Sequence, residues 1–322
     1  MSTAILVIGD PDDPHVKAVS GHIDRSEYDL LFLDPANGDT GSLFFSYDPF
    51  SLTIVNSGKA THSGKIGSVW WRVKPNLTLM PKTIEEVETK QFIQREWLLA
   101  FEAMSFVLDD RFWINRRDVD ILVRSKPFQL YKAQSFGFDI PSTIIGNDFA
   151  SIQRHFSSRQ EVLYKPLSYF AVPPEKILYA NAIPVADLPA HHQNISIAPC
   201  IFQGYVDKQY ELRITVIGAH VFPVRIHSQE YPNAELDWRR EQLNLQYEVA
   251  TLDPAFEDRL LAFHRAMGLV YGAYDFIVGP DGKYTFLEVN PVGQWLWLES
   301  ILKLDISKKM ADALMQAPAH PR

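Results

Sequence analysis

The sequence predicts an α/β unit followed by two α+β subdomains, and three observations carry that expectation. Apolar β-type runs alternate with helical segments over residues 1 to about 115, the signature of strands covered by helices. From about residue 197 the chain turns strand-rich, with two runs that read as hairpins. At 322 residues it is longer than a usual single domain, so two or three units are natural. We place them at 1–115, 116–200 and 201–322.

In the first unit, strands are expected at 4–8, 28–33 and 66–71 and a long helix at 84–108, whose Phe92, Trp97, Leu98, Phe101 and Met104 recur at broadly helical spacing, as on a core-facing side. Trp70, Trp71 and Arg72 end the third strand, shortly before Pro75; two indoles beside an arginine suit either internal packing with a cation contact or the wall of a peptide or subunit interface. The second unit opens with a helix at 127–136, started by Pro127 and stopped by Gly137. A strand at 141–145 and an Asn147-Asp148 cap follow, then a helix at 149–156 and a strand at 162–165. In the third, strands at 210–217 and 220–226 meet through Gly218-Ala219, and helices are expected at 255–267, 295–302 and from 306.

Thirty-nine acidic against thirty-one basic residues give a net charge of −8, which disfavours nucleic acid or anionic membrane as the main partner. No apolar run reaches transmembrane length and the opening Ala4–Ile8 run lacks the charged start of a signal peptide, so a cytoplasmic protein is expected. Cys200 is the single cysteine; it rules out an intramolecular disulfide and, set among apolar residues, reads as a buried structural thiol rather than a nucleophile.

Tyr271-Gly-Ala-Tyr-Asp275-Phe-Ile-Val278 and Lys283-Tyr-Thr-Phe-Leu-Glu288-Val-Asn290 flank a Gly-Pro-Asp-Gly run and read as a hairpin. With Pro280 and Asp281 as a two-residue turn, Asp275 faces Phe286, while Glu288 and Asn290 share its face. Three oxygen-bearing side chains on one small area suit a hard cation such as Mg²⁺ better than a solvated strand face, given the apolar neighbours. Lys126, just before a Pro-started helix, is positioned to meet phosphate, and Lys165, at the end of an apolar strand, calls for an anionic partner; the alternative for each is an ordinary surface charge. Arg213, on a strand face with Glu211 and Thr215, could take phosphoryl oxygens or pair with a local carboxylate, and the extended segment 203–206 could meet the edge of a purine.

Lysine, lysine, extended hinge, Glu-x-Arg strand, Asp and Glu-x-Asn, in this order over about 115–305, resembles the ATP-grasp superfamily, in which two α+β subdomains clamp Mg-ATP behind a preceding α/β unit. The resemblance implies Lys126 and Lys165 on the phosphates, Gln203, Tyr205 and Val206 in the adenine hinge, Arg213 on the transferring phosphoryl group, and Asp275, Glu288 and Asn290 as Mg²⁺ ligands. Tyr164-Lys-Pro-Leu167, Phe202-Gln-Gly-Tyr-Val206, Asp237-Trp-Arg239, Phe286-Leu-Glu-Val-Asn-Pro-Val-Gly-Gln-Trp295 and Trp70-Trp-Arg72 extend it to the graspetide, or microviridin-type, peptide macrocyclases. That narrower resemblance spans almost the whole chain. It implies a ribosomal precursor peptide as partner, recognised through a leader, with side-chain carboxylates activated as acyl phosphates and joined to Ser, Thr or Lys. It also implies a homodimer, and substrate handling by Asp237 and Arg239 in the polar loop 228–242, with Arg225 and His227 as further candidates. The idealised 218–219 turn puts Arg225 on the face opposite Arg213. Glutathione-synthetase-like and RimK-like ligases commonly carry a glycine-rich flap after the second lysine, whereas residues 166–174 here contain no glycine. An amino-acid or peptide ligase of that kind, and a synapsin-like nucleotide-binding regulator, are the alternatives.

Overall fold

The computed structural model describes residues 3–37, 40–73, 84–167, 171–172, 176–177 and 181–316. Pro75 and most of the glycine-free stretch 166–174 lie outside them. No described helix is long and apolar enough to cross a membrane.

The first unit comprises β1 (Thr3–Ile8), α1 (Pro14–Ser20), β2 (Tyr28–Leu33), β3 (Ser42–Tyr47), β4 (Phe50–Asn56), β5 (Lys59–His62), β6 (Ile66–Trp71), α2 (Val87–Val107) and β7 (Phe112–Ile114). Four of the strands form a parallel sheet in the order β2-β1-β6-β7, as expected of strands fed by crossovers. One face packs Leu6, Ile8 and Trp71 against Leu52 and Ile54 of the antiparallel β3-β4-β5 sheet and against Phe101 and Met104 of α2. Phe92 is a correction: it is 63% exposed, on the outer side of α2, because the buried side of that helix follows Trp97, Phe101, Met104 and Leu108.

α3 (Arg117–Val123) and α4 (Lys126–Ser135) follow, then β8 (Thr143–Gly146), α5 (Phe149–Phe156), β9 (Glu161–Lys165), β10 (Ala171–Val172), β11 (Lys176–Ile177), β12 (Asn181–Pro184), α6 (His192–Ile197) and β13 (Cys200–Gln203). Asp148 caps α5, its carboxylate accepting from Ser151 N at 3.0 Å. An antiparallel sheet, β12-β9-β13-β8, buries Val162 and Phe202 against Ile152 and Phe156 of α5. Cys200 is half-buried there, 3.4 Å from the Tyr164 hydroxyl.

The last unit holds β14 (Tyr210–Ile217), β15 (His220–Ile226), β16 (Tyr247–Val249), α7 (Pro254–Ala266), β17 (Tyr271–Val278), β18 (Tyr284–Asn290), α8 (Leu296–Leu302) and α9 (Ile306–Met315). Its strands form an antiparallel sheet in the order β16-β15-β14-β17-β18. One face is a core in which Leu212, Ile214, Tyr274, Phe276 and Phe286 meet α4 and α7. Each buried aromatic there contributes on the order of 2 kcal/mol by area. A further core joins this unit to the first: Trp70, Ile5 and Val7 pack with Tyr271, Trp295 and Met310.

Candidate active site

The site grows from the side of the five-stranded sheet that the core leaves free. Leu212, Ile214 and Val216 of β14 point into the core, so the two-residue period turns Glu211, Arg213 and Thr215 the other way. On β17, Asp275 directly opposes Arg213. The hairpin β17–β18 departs from the expected register in two places. Its turn spans 279–283, closed by Gly279 N–H to Lys283 O at 3.0 Å with Gly282 at φ +78°, instead of pivoting on Pro280 and Asp281 alone. A bulge then inserts Leu287, so Phe276 pairs with Phe286 but Asp275 pairs with Glu288 and Ala273 with Asn290. The extra residue reverses the alternation. Phe286 enters the core, while Glu288 and Asn290 keep the face of Asp275; a regular strand would have put the phenylalanine beside the carboxylates.

Cations surround this pair. Arg213 Nη1 lies 3.0 Å from both oxygens of Asp275, so the local-carboxylate partner left open from the sequence is Asp275 rather than Glu211. Glu211 is buried and takes Lys208 at 2.6 Å and the Ser228 hydroxyl at 2.9 Å. Lys126, at the start of α4, reaches Glu288 Oε2 at 2.5 Å, and Arg239 Nη1 reaches Oε1 at 3.3 Å. Arg239 also grips Asp237 through two bonds of 2.8 and 3.0 Å. Between them Trp238 is buried 5.3 Å from Trp297, which anchors the 228–242 loop beside the sheet. Across from these, on the middle sheet, Lys165 Nζ donates to Gln203 Oε1 at 2.9 Å, and Gln203 Nε2 donates to Thr143 Oγ1 at 3.0 Å.

The charges answer to these neighbours. Lys126 holds Glu288 well below the usual carboxylate range, against the pull of burial and with help from Arg239. Burial pushes Asp275 up although Arg213 opposes it. Burial acts the same way on Asp237, but the bidentate Arg239 outweighs it and keeps this carboxyl below its ordinary value. Lys165 is pushed down to about 8, first by burial and then by the charge of Lys126.

The structure thus brings together Lys126, Lys165, Gln203, Arg213, Asp237, Arg239, Asp275 and Glu288. Asn290 continues the β18 face, exposed, with Oδ1 accepting from Val292 N at 3.0 Å. Tyr205 is 39% exposed and Val206 half-buried, just past a Gly204 whose N–H is fixed on Ser142 O at 2.8 Å and against which the Arg159 guanidinium packs. Arg225 and His227 stay outside. Arg225 opposes Leu212, stacks 4.1 Å over Tyr210 and pairs with Glu248; His227 turns to Glu230.

Sequence reasoning missed Gln129 and Asn115. Gln129, buried on α4, donates to Val289 O at 2.8 Å and accepts from Val289 N at 2.9 Å, docking the helix on β18 next to Glu288 and so setting where Lys126 stands. A glutamine beside Leu130 and Ala133 on an apolar helix face was its one signal. Asn115 bonds Tyr271 on both sides of its amide and had no sequence signal.

As to metals, two carboxylates and an amide offer hard oxygen donors only, the set suited to a Mg²⁺ that keeps several waters. Among the described residues no group of three or more His, Cys, Asp or Glu forms a metal cluster, so such a site depends on Asn290.

No protein-family model and no curated protein sequence matches the chain. Solved structures do. A RiPP-associated ATP-grasp ligase of Chryseobacterium gregarium, in complex with ADP and a leader and core peptide, superposes with a TM-score of 0.84 at 25% identity over 99% of either chain. The macrocyclase MdnC from Microcystis aeruginosa MRC, bound with precursor peptide MdnA, gives 0.84 at 25% identity over 97% of this chain and 99% of its own. The ATP-grasp ligase PsnB, complexed with a phosphomimetic variant of a minimal precursor, Mg and ADP, gives 0.72 at 23% identity over 98% of each, a likeness of fold. With the clamp of two sheets around a charged cleft, these full-length similarities make the chain an ATP-grasp ligase similar to the graspetide macrocyclases.

Proposed function

We propose that the protein uses ATP and Mg²⁺ to join a side-chain carboxylate of a ribosomal precursor peptide to a Ser or Thr hydroxyl or a Lys amine of the same peptide. The observation that carries this is the convergence of Lys126, Arg213 and Arg239 on the paired carboxylates of Asp275 and Glu288, opposite Lys165. Four cations outnumber three carboxylates, which suits a polyphosphate.

In this reading Lys126 and Lys165 take phosphate oxygens, and Gln203, Tyr205 and Val206 border the adenine. Asp275, Glu288 and Asn290 would hold Mg²⁺, which when bound offsets phosphate charge. Arg213 spreads the charge of the transferring phosphoryl group as a carboxylate oxygen of the peptide bonds to the γ-phosphorus and the bond to the β-phosphate oxygen breaks, releasing ADP. The hydroxyl or neutral amine then attacks the acyl carbon, the bond from that carbon to the phosphate oxygen breaks, and the nucleophile's proton leaves with the departing phosphate. Arg239 orients the peptide carboxylate. Asp237, held ionised by Arg239, accepts a hydrogen bond from the nucleophile and aligns it. Holding both peptide ends in one cleft excludes water, which would otherwise hydrolyse the acyl phosphate.

The test is intact mass and fragmentation of a peptide carrying Asp or Glu and Ser, Thr or Lys, encoded beside this gene, after incubation with protein, ATP and Mg²⁺. One water lost per ring supports macrocyclisation, and mild alkali separates ester from amide. Joining of free amino acids with an unchanged peptide mass refutes it. Asp237→Ala is expected to abolish ring formation while ADP still binds.

A homodimer is part of the same proposal. Phe92, Leu99 and Phe106 recur every seventh residue on the outer side of α2 and are all exposed. The stripe is self-complementary about Leu99: in an antiparallel pair of α2 helices centred there, Phe92 of one copy meets Phe106 of the other.

A further inference from the structure

Beyond Asn290 the chain makes a turn in which four successive carbonyls each accept a hydrogen bond from a side chain. Asn115 Nδ2 donates to Pro291 O at 3.0 Å. Arg72 Nη1 donates to Val292 O at 2.9 Å and Gly293 O at 3.2 Å, and the Tyr271 hydroxyl adds a bond of 2.8 Å to Gly293 O. Arg213 Nη2 donates to Gln294 O at 3.3 Å. Buried irregular backbone has to have its polar groups satisfied; here the donors come from the first unit, from Tyr271 at the start of β17 and from Arg213 of the site.

Arg72 is the centre of this arrangement. It is 2% exposed, its Nε is 3.5 Å from the Asp13 carboxylate, and its guanidinium lies 5.2 Å from the Trp295 ring centre. Asp13 caps α1, accepting from His15 N at 2.8 Å, and His15 Nε2 accepts the N–H groups of Trp295 and Leu296 at 3.2 and 3.3 Å. The start of α1 and the end of β6 therefore hold the turn at several points. The turn in turn reaches the site: Val292 N–H occupies one lone pair of Asn290 Oδ1 and leaves the other, and a Cβ on Gly293 would lie 2.9 Å from Arg213 Nη2.

We propose that Arg72 is a positioning residue for the metal site: by fixing the carbonyls of Val292 and Gly293 it sets the place of the Asn290 amide. The first unit is thereby a working part of the cleft. Arginine suits the task because Nη1 alone serves both carbonyls while Nε, held apart from it by the rigid guanidinium plane, faces Asp13, whereas a lysine has one nitrogen for both tasks. Hydrogen bonds behind ligating side chains orient them, and losing one commonly costs about 10- to 100-fold in metal affinity. The inference rests on Asn290 serving with Asp275 and Glu288 as Mg²⁺ ligands.

The experiment measures ADP binding by calorimetry, with saturating Mg²⁺ and with chelator, for the wild type, Arg72→Lys, Asn290→Ala and the double variant. Arg72→Lys is expected to weaken Mg²⁺-dependent binding by about tenfold, leave binding in chelator unchanged, and add less than about twofold on top of Asn290→Ala, because residues acting through one group are not additive. Equal losses with and without Mg²⁺, or full additivity, would make Arg72 a packing residue and overturn the proposal. If Arg72→Lys does not fold, Tyr271→Phe removes one donor from Gly293 O, leaves the Asp13 pair intact and is held to the same comparison. Wild-type ADP affinity indifferent to Mg²⁺ removes the ligand assignment and this proposal with it. A Mg²⁺-dependent wild type matched by an equally Mg²⁺-dependent Arg72→Lys overturns this proposal alone.

Discussion

Lys165 lends itself to a quantitative test through pH. Its ammonium is pushed from 10.5 down to about 8, by burial first, then by Lys126 and Arg239, with Glu288 and Asp237 pulling the other way. At 1.36 kcal/mol per unit the net shift is worth about 3 kcal/mol, held against the charged form in the free protein. A phosphate beside Lys165 supplies the missing counter-charge and returns the group towards its ordinary value. Nucleotide binding should then take up a proton near pH 8, and affinity should fall about tenfold between pH 7 and 9, as the free ammonium goes from roughly nine-tenths to one-tenth charged. The assay is ADP titration calorimetry at both pH values in two buffers of different ionisation enthalpy, with Lys165→Gln as control. In the free protein the sign is reversed. The unfolded chain keeps its lysine proton up to about 10.5, so this group makes stability rise with pH from about 8 upward. Affinity flat from pH 7 to 9, or the same pH dependence in Lys165→Gln, would refute the reasoning.

Glu288→Gln should abolish Mg²⁺-dependent turnover, yet bind ADP in chelator at least as tightly as the wild type in the same calorimeter, because Lys126 and Arg239 lose the carboxylate they now hold. The wild-type pairing, with Glu288 lowered by Lys126, stabilises above the ordinary glutamate range and is lost only as pH falls through the depressed value, so an acid melt of the variant should lack that component. In Gly293→Ala the new methyl would sit 2.5 Å from the Ala273 Cβ; a cost of about 1–3 kcal/mol in denaturant unfolding is expected, with weakened ADP binding through the displaced Arg213. Leu99→Asp, at a position 60% exposed, should leave the melting temperature near wild type and halve the mass in light scattering, whereas an unchanged mass would rule out α2 as the interface.

Much of the local structure was legible because it obeys short-range rules. The strands Tyr210–Ile217 and His220–Ile226 fall at the expected residues, since Gly218 takes φ +57° in a two-residue turn and the flanking period is two. The helix from Phe149 begins at its Asp148 cap. The β3-β4-β5 sheet escaped notice because Ser42–Tyr47 lies half open and carries no clean alternation, and short α1 and α3 lack a long periodic face. In the hairpin β17–β18 the shared face of Asp275, Glu288 and Asn290 was right while the register was wrong, because Leu287 has no mark in the sequence that identifies it as a bulge.

By itself the sequence determined the residue types at the cleft and their order, together with the strand faces on which Arg213 and Asp275 stand, since those follow from chain chirality and the two-residue period. Only the tertiary structure decided that Lys126 meets Glu288 across 162 residues, that Trp70 and Trp71 are packing residues against Trp295 and Phe101, and that Arg72 and Asn115 hold the turn after Asn290. The physical reason is that these partners belong to different sheets and to main-chain carbonyls, which every residue possesses. Their pairing is set by how separately folded layers share one core.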